Sequence, residues 1–241
     1  MTEKFLNVFK TEKPIIGMLH LLGDTCQGIV DNAIDEMKMM TRHGVAAVLV
    51  ENYFGSTEDV ENVLAVLQRD YPAVVYGVNV LGDIETAYKF ARWYDAKFIQ
   101  VDSICGHHVP ARERSYFEKI DALREDCDAL LLGGVRFKYQ PVCSGRSVEE
   151  DLNIGKQHCD AIVVTGSGTG INTDIEKIKT FRSVLGDFPL VVGAGMTADT
   201  VAKQLSYADG GIVGSYFKYG GDAYGYMDEA RVKRFMSAIG V

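Results

Sequence analysis

The sequence has no long hydrophobic run and no block of basic residues. No stretch of its 241 residues approaches the roughly 18 apolar residues of a membrane-spanning helix, and the opening MTEKFLNVFKTEKP has no apolar core of signal-peptide type. We therefore expect a cytoplasmic protein that does not insert into a membrane. The formal net charge is -8 and lysines and arginines are not clustered, which argues against a nucleic-acid partner. Small molecules and proteins remain as partner classes.

The cysteines form no recognisable framework. There are five, an odd number, and no two have the C-x-x-C spacing of a zinc or redox motif. This pattern favours reduced thiols in a cytosolic protein, and we predict neither a metal site nor a cofactor. Cys105, which precedes Gly106, His107 and His108, is the one thiol considered as a nucleophile, a role that requires a lowered pKa.

Short apolar runs alternate with amphipathic helical patterns along the whole chain. Strict alternation predicts parallel strands, because parallel neighbours need a crossover and a helix supplies it. Eight such units in 241 residues are typical of one (β/α)8 TIM barrel, here a single domain over residues 1–241 with a short N-terminal helix in residues 1–12. An open doubly wound sheet is the alternative, although no G-x-G-x-x-G turn follows the first strand. The predicted strands cover residues 15–19, 47–51, 74–80, 98–102, 129–137, 161–165, 190–194 and 211–215.

Polar residues lie at inward positions of these predicted strands. Alternate residues of a barrel strand point inward, whereas outward residues meet the helices and are apolar. By this rule Gln100 and Asp102 share the inward face of strand four, and Asn79 faces inward on strand three. Arg136 and Lys138 are expected to share one face at the end of strand five.

The ends of strands one, two and six add further polar groups to the same end of the barrel. They are His20, Glu51 with Asn52, and Thr165. TIM-barrel enzymes place their chemistry at this C-terminal mouth. We predict Glu51, Asp102, Lys138 and His20 as catalytic residues, and Asn52, Asn79, Arg136 and Thr165 as substrate-binding residues.

Two other interpretations of these polar residues stay open. Asp102 or Glu51 would form a purely structural ion pair if Arg136 or Lys138 lay beside it. A metal site built from His20, Glu51, Asp102 and a loop histidine is conceivable, but no ligand spacing supports it.

Glycine-rich turns after strands six, seven and eight predict an anion site. The segment PLVVGAGMTADTVAKQLSYADGGIVGSYFK, residues 189–218, contains two apolar runs that each break into glycine and small polar residues. Loops after strands seven and eight of a TIM barrel commonly bind phosphate through amide groups near a helix start. Glycine also serves such turns for conformational reasons alone. The predicted phosphate contacts are Gly166, Ser167, Gly193, Gly195, Gly214 and Ser215.

Several blocks together resemble one known family. KPIIGMLHL, GVAAVLVENYF, YGVNVL, FIQVDS, DAIVVTGSGTG, PLVVGAGMTADTV and DGGIVGSYFK occur in order over about residues 13–238 and are similar to the BtpA family, which includes the SgcQ-type proteins. The resemblance implies a phosphate-binding TIM barrel. It also implies a link either to photosystem I accumulation or, for SgcQ-type members, to sugar metabolism with a nucleosidase label. One block departs from the family pattern: LLLGGVRFKYQP keeps Lys138 but has glycine at an acidic position and Tyr139 at a histidine position.

Three functions are therefore considered. The first is an enzyme acting on a phosphorylated sugar or nucleoside-type substrate by nucleosidase, isomerase or lyase chemistry, with Glu51 or Asp102 as acid or base and Lys138 stabilising negative charge or forming an imine. The second is a non-catalytic assembly factor, and the third is a phosphate-ligand sensor. We expect a homo-oligomer, because barrels of this kind often pair through outer helices. The tyrosine-rich segment 216–227 is either a lid or part of an interface.

Overall fold

Eight parallel strands close into a barrel in chain order. In the computed structural model, which describes residues 2–241, each strand pairs with the next and β8 pairs with β1. The predicted TIM barrel is confirmed and the open sheet is excluded. The strands are β1 (Ile15–Leu19), β2 (Ala47–Glu51), β3 (Tyr76–Asn79), β4 (Phe98–Cys105), β5 (Leu130–Val135), β6 (Ala161–Val164), β7 (Leu190–Val192) and β8 (Gly210–Val213).

Helices cover the outside of the barrel between the strands. Their starts are fixed locally: Ser56 and Asp59 form a capping box for the third helix, and Ser147 and Glu150 form one for the sixth. None of the helices within residues 2–241 is both long and apolar enough to cross a membrane. The helices are α1 (Glu3–Phe9), α2 (Cys26–Arg42), α3 (Thr57–Asp70), α4 (Ile84–Trp93), α5 (Pro110–Glu125), α6 (Val148–Gly155), α7 (Ile175–Leu185), α8 (Val201–Leu205) and α9 (Glu229–Ser237), with short 3-10 segments at Ser215–Phe217 and Tyr219–Gly221.

The barrel interior is filled from below by aromatic side chains. The predicted N-terminal helix is present as α1, and its Phe5 and Phe9 are buried. The Phe9 ring lies 5.2 Å from the ring of Phe98 on β4, so α1 plugs the floor and joins the interior cluster. The floor of the barrel is therefore packed.

A second apolar layer lies between the barrel and its helices. On α2, for example, Ile29, Ala33, Met37 and Met40 are buried at spacings of three and four residues, which is the inward stripe of an amphipathic helix. The outward side chains of the strands, such as Val48 and Val50, belong to the same cluster. This layer holds the strands rigidly, and the loops at the mouth are built on it.

Strand β4 is irregular where it reaches the mouth. Its pairing with β5 is regular from Phe98 to Val101 and resumes only at Cys105, with a shift in register between them. Bulges of this kind occur beside active sites, where they re-aim a side chain. Asp102 lies within the irregular stretch, at the barrel rim.

Candidate active site at the barrel mouth

A cavity of about 350 Å³ opens at the C-terminal end of the barrel. This volume is at the lower end of the range of small-molecule sites. All four residues predicted as catalytic line the cavity: His20, Glu51, Asp102 and Lys138. The glycine turns after β7 and β8 line its opposite part, so the two predicted halves of the site share one cavity.

Two carboxylates at the mouth are bridged by one amide group. Asn79 lies beside Glu51 in the β2–β3 register, and its Nδ2 donates to Glu51 Oε2 at 2.6 Å and to Asp102 Oδ1 at 3.3 Å. Gln100 Nε2 also donates to Asp102 Oδ1, at 2.9 Å. The inward alternation predicted for β3 and β4 therefore brings Asn79, Gln100 and both carboxylates together.

The environment of these carboxylates favours their protonated forms. Burial, followed by the negative charge of Asp102, raises the pKa of Glu51 from 4.5 to about 7. Burial also raises the pKa of Asp102, although the hydrogen bond from Gln100 opposes the change. A buried carboxyl group with a pKa near neutrality can both give and take a proton under physiological conditions.

Lys138 lines the same cavity as the carboxylates, and its positive charge acts on both of them. Its backbone amide donates to Thr165 Oγ1 at 2.9 Å, and its Nζ donates to Thr169 Oγ1 at 3.0 Å. Tyr53 OH donates to the same Thr169 oxygen at 3.3 Å. Thr165 thus positions the lysine backbone rather than lining the cavity itself, and Thr169 orients the lysine ammonium group.

His20 is held in the cavity wall as a neutral imidazole. Burial, followed by the positive charges of Lys218 and Lys138, lowers the pKa of His20 to about 3. Lys218 is itself buried and forms an ion pair with Glu36 of α2. The histidine can therefore donate or accept a hydrogen bond at neutral pH, but it carries no charge.

Aromatic side chains continue the mouth beyond His20. The Tyr53 ring lies 5.0 Å from the His20 ring, and Phe54 packs edge-on against Tyr53 at 4.8 Å. Tyr224, from the tyrosine-rich segment, packs against Phe54 with ring centroids 4.3 Å apart and ring planes tilted by 33°. That segment therefore lies over the loop after β2, at the mouth of the barrel.

The turns after β7 and β8 require glycine at two positions. Gly195 has φ of 69°, and a Cβ there would lie 2.1 Å from the backbone oxygen of Ile171. A Cβ on Gly214 would lie 2.8 Å from Cε1 of His20. Both glycines line the cavity together with Gly193 and Ser215. The Gly193 amide already donates to Val164 O at 2.8 Å, so it is committed to the barrel backbone.

Arg136 does not join the predicted site. The chain leaves β5 at this residue with φ of 48°, which breaks the alternation that placed Arg136 and Lys138 on one face. The Arg136 guanidinium lies outside the barrel, where Nε donates to Asp151 Oδ2 at 2.8 Å and Nη2 donates to Arg146 O at 2.5 Å. The alternative interpretation in which Arg136 forms a structural ion pair with Asp102 or Glu51 does not hold, and Arg136, predicted to bind substrate, pairs with Asp151 instead.

Five other predicted binding residues do not line the cavity: Asn52, Asn79, Thr165, Gly166 and Ser167. Asn52 Oδ1 accepts the Leu81 amide at 2.8 Å and stabilises the loop after β3. Gly166 and Ser167 face a separate shallow depression beside Lys177. Both residues belong to the loop after β6, and their spacing in the sequence does not determine which side of that loop faces the cavity.

Cys105 lies in the ion cluster around Asp151 and not in the cavity. Burial, followed by the charges of Glu113 and Asp151, raises the pKa of the Cys105 thiol to about 12. The thiol is therefore protonated at neutral pH, which is the opposite of what a nucleophile requires. Within residues 2–241, no group of three or more His, Cys, Asp and Glu side chains is arranged to hold a metal ion.

Sequence reasoning missed several residues of the cavity wall. Tyr53, Thr169 and Thr197 come from loops, and Arg231 comes from the first turn of α9. Strand alternation gives no information about such positions. In the sequence, only the position of Arg231 shortly after the last glycine turn suggested that it lies near the site, and that position does not fix the direction of the side chain.

Comparison with known proteins places these features in a family. The sequence model described as BtpA family matches residues 11–240. An uncharacterized protein of Archaeoglobus fulgidus is 28% identical, with 94% of this chain and 98% of the relative aligned. The putative sgc region protein SgcQ of Escherichia coli is 26% identical (96% and 96% aligned), and the photosystem I biogenesis protein BtpA of Synechocystis is 25% identical (96% and 89% aligned).

Solved structures with the same fold include enzymes of sugar phosphates. The phosphoribosyl anthranilate isomerase of Thermus thermophilus superimposes with a TM-score of 0.64 at 11% identity, over 94% of this chain and 98% of the isomerase. The 2-keto-3-deoxy-6-phosphogluconate aldolase of Zymomonas mobilis, solved with 3-phosphoglycerate, gives a TM-score of 0.63 at 14% identity, over 98% and 95%. At these identities the likeness shows the fold alone.

Proposed function

Because the chain belongs to the BtpA family and closes into a TIM barrel, we propose that it is an enzyme that moves a proton on a small phosphorylated sugar-type substrate. The substrate lies in the cavity at the barrel mouth. Its phosphate is held by the turns around Gly195 and Ser215, and its reacting carbons lie near Glu51 and Asp102. The fold alone does not determine this activity, so the proposal depends on the site.

The observation that carries the proposal is the carboxylate pair. Burial of carboxylates costs stability, and two of them bridged by Asn79 at the rim of an open cavity are typical of a functional site. The raised pKa of Glu51 suits a group that exchanges protons near neutral pH. Asp102 supplies the negative charge that helps to raise it.

The proposed step begins with a carbonyl group of the substrate beside Lys138. Ionised Glu51 takes a proton from the carbon next to that carbonyl, and the C–H electron pair becomes the new C–C double bond of an enolate. The carbonyl electron pair moves onto oxygen, where the Lys138 ammonium group stabilises the developing negative charge. In an isomerisation, the hydroxyl group on the carbon that lost the proton gives its own proton to the former carbonyl oxygen. Protonated Glu51 then returns its proton to the former carbonyl carbon, so that the carbonyl group has moved by one carbon. In lyase-type chemistry, ionised Glu51 instead takes the proton of a hydroxyl group two carbons from the carbonyl carbon. The carbon–carbon bond between the hydroxyl carbon and its neighbour on the carbonyl side breaks, the hydroxyl carbon leaves as a carbonyl product, and the remaining enolate takes the proton back from Glu51.

The named ligands of the solved structures support phosphorylated test compounds. The aldolase is described with 3-phosphoglycerate, and a second phosphoribosyl anthranilate isomerase is described in complex with a reduced deoxyribulose 5-phosphate derivative. Cleavage of a sugar–nitrogen bond is the alternative chemistry for the same protonated carboxyl group, so nucleoside 5'-phosphates belong in the test panel.

The test is exchange of substrate hydrogen for deuterium, followed by NMR in D2O. Hydrogen exchange is detected on the substrate itself, so the product of the reaction need not be known. We expect the wild-type protein to be stabilised by at least one aldose, ketose or nucleoside phosphate and, if that ligand carries a carbonyl group, to exchange the hydrogen next to it. Glu51→Gln should keep binding and slow exchange by about 10²- to 10⁴-fold, the usual contribution of a general base. Asp102→Asn should keep binding and slow exchange less.

Two outcomes would contradict the proposal. One is that no phosphorylated compound stabilises the wild-type protein, although a ligand at about 100 times its dissociation constant adds about 2.7 kcal/mol. The other is that Glu51→Gln and Asp102→Asn leave both turnover in solution and the cellular role intact. Retained cellular function in both variants would favour the assembly factor, and tight binding with no turnover would favour the sensor.

A further inference from the structure

We propose that Arg231 is the cationic group of the phosphate subsite, so the ligand carries a phosphate monoester at the α9 side of the cavity. This inference rests on the proposed function and adds the orientation of the ligand. It is carried by the placement of Arg231, by its lack of an internal counter-ion and by the charges on the rest of the cavity wall.

The Arg231 side chain is held in place through Nε and the guanidinium plane, which leaves its two terminal nitrogens available. Arg231 Nε donates to the Tyr216 backbone oxygen at 2.6 Å, and the guanidinium carbon lies 4.3 Å from the centroid of the Tyr216 ring. No hydrogen bond within residues 2–241 uses the terminal nitrogens Nη1 and Nη2. The residue is half-buried and lines the cavity beside Ser215 and Gly195.

Arg231 is also the exception among the half-buried arginines of residues 2–241. Arg124 pairs with a carboxylate at 3.0 Å, Arg136 at 2.8 Å, Arg146 at 2.6 Å and Arg182 at 2.5 Å. No aspartate or glutamate of the described chain pairs with Arg231. Partly removing a charge from water costs free energy, and a bound anion would offset that cost here.

The turns after β7 and β8 attract an anion only weakly without the charge of Arg231. Helix α8 has 5 residues and the 3-10 segment after β8 has 3, so each aligns too few peptide dipoles to attract an anion strongly. The small residues of these turns leave room for a phosphate group and offer backbone N–H donors. The planar guanidinium group of Arg231 can donate to two phosphate oxygens at once. A phosphate monoester is therefore the ligand chemistry that fits both.

The remaining charges of the cavity fix the direction of the ligand. When ionised, Glu51 and Asp102 at the barrel strands repel a phosphate group, and they offset the positive charge of Lys138, another cation of the cavity wall. Arg231 lies above the β8 side, at the start of α9. The phosphate end consequently binds toward Arg231, and the end with carbonyl and hydroxyl groups reaches the carboxylates.

The test measures the affinities of inorganic phosphate and ribose 5-phosphate by calorimetry. Loss of a hydrogen bond to a charged group corresponds to about a 10- to 100-fold weaker affinity, so Arg231→Gln should weaken both ligands by that factor. The affinities of Arg231→Lys for both ligands should lie between those of wild type and those of Arg231→Gln. Arg234→Gln is the matched control, because Arg234 lies on the same helix but pairs with Asp199 on the surface. It should bind both ligands as wild type does.

The possible failures are distinguishable. If the wild-type protein binds ribose 5-phosphate and Arg231→Gln binds it equally well, the assignment of Arg231 is overturned while the proposed function stands. If the wild-type protein binds neither phosphate nor any phosphorylated compound of the panel, both are overturned. Should Arg231→Gln not fold, Arg231→Lys decides, since phosphate affinity equal to wild type in that variant contradicts a guanidinium fork on the phosphate.

Discussion

Replacement of Glu51 by glutamine should stabilise the protein at alkaline pH while removing its activity. Glu51 is 5% exposed, and its pKa rises from 4.5 in an ordinary setting to about 7 in the fold. That difference corresponds to about 3 kcal/mol by which the fold disfavours the ionised carboxylate. Glutamine has the same shape, carries no charge and can still accept the Asn79 amide through its oxygen.

The sign of the effect depends on which state holds the proton. Between about pH 4.5 and pH 7, the folded protein keeps a proton on Glu51 that the unfolded chain has already released. The free energy of unfolding therefore falls as pH rises through this window, and the loss is complete above about pH 7. We expect Glu51→Gln to be more stable than wild type by up to about 3 kcal/mol at about pH 8, and to differ by less than about 1 kcal/mol near pH 4.5.

Urea unfolding of both proteins at several pH values measures this difference. Glu12→Gln is the matched control, because Glu12 is exposed in the connection between α1 and β1 and should show no comparable pH-dependent gain. A constant difference between Glu51→Gln and wild type across the pH range would refute the reasoning. It would mean that the Glu51 carboxyl is not held in its neutral form by burial and Asp102.

Two further substitutions test the architecture of the mouth. Gly195→Ala should destabilise the protein by about 2 kcal/mol more than Gly82→Ala in thermal unfolding. Gly82 has a similar positive φ of 77° but no atom within 4 Å of an added Cβ, so its substitution costs only the conformational penalty of about 1–2 kcal/mol. Equal losses would contradict the close approach of Gly195 to Ile171. Asp151→Asn should lower the free energy of unfolding in urea by about 3–5 kcal/mol, because the fully buried Asp151 pairs with two arginines. Asp70→Asn, which breaks a surface ion pair, should change stability far less. Similar losses in the two variants would mean that the buried cluster is not held by its charges.

The sequence was sufficient to predict the barrel and the carboxylate half of the site. The barrel follows from the regular alternation of strands and helices, and the carboxylate positions follow from the inward alternation of residues along each strand. Asn79, Gln100 and Asp102 therefore lie where their spacing predicted, and Glu51 meets Asn79 because adjacent parallel strands end at the same rim. The α1 plug was also predictable, since the apolar positions in EKFLNVF are suited to covering an open barrel floor.

The rest depended on geometry that a strand pattern does not contain. Arg136 was misplaced because a single positive φ turns the chain at the end of β5, where a tertiary contact with Asp151 outweighs regular alternation. Arg231 was missed because its direction is set by a hydrogen bond to Tyr216, fifteen residues away in the sequence. The charge environment of His20 likewise comes from Lys218, which packs beside it only in the folded chain.

A crystal structure of the protein with ribose 5-phosphate bound tests the central claim most directly. The account predicts phosphate oxygens within hydrogen-bond distance of the Gly195 and Ser215 amides and the Arg231 guanidinium. It also predicts a sugar oxygen within reach of Glu51 or Asp102. A ligand bound outside the cavity, or with its phosphate against the two carboxylates, would contradict the account.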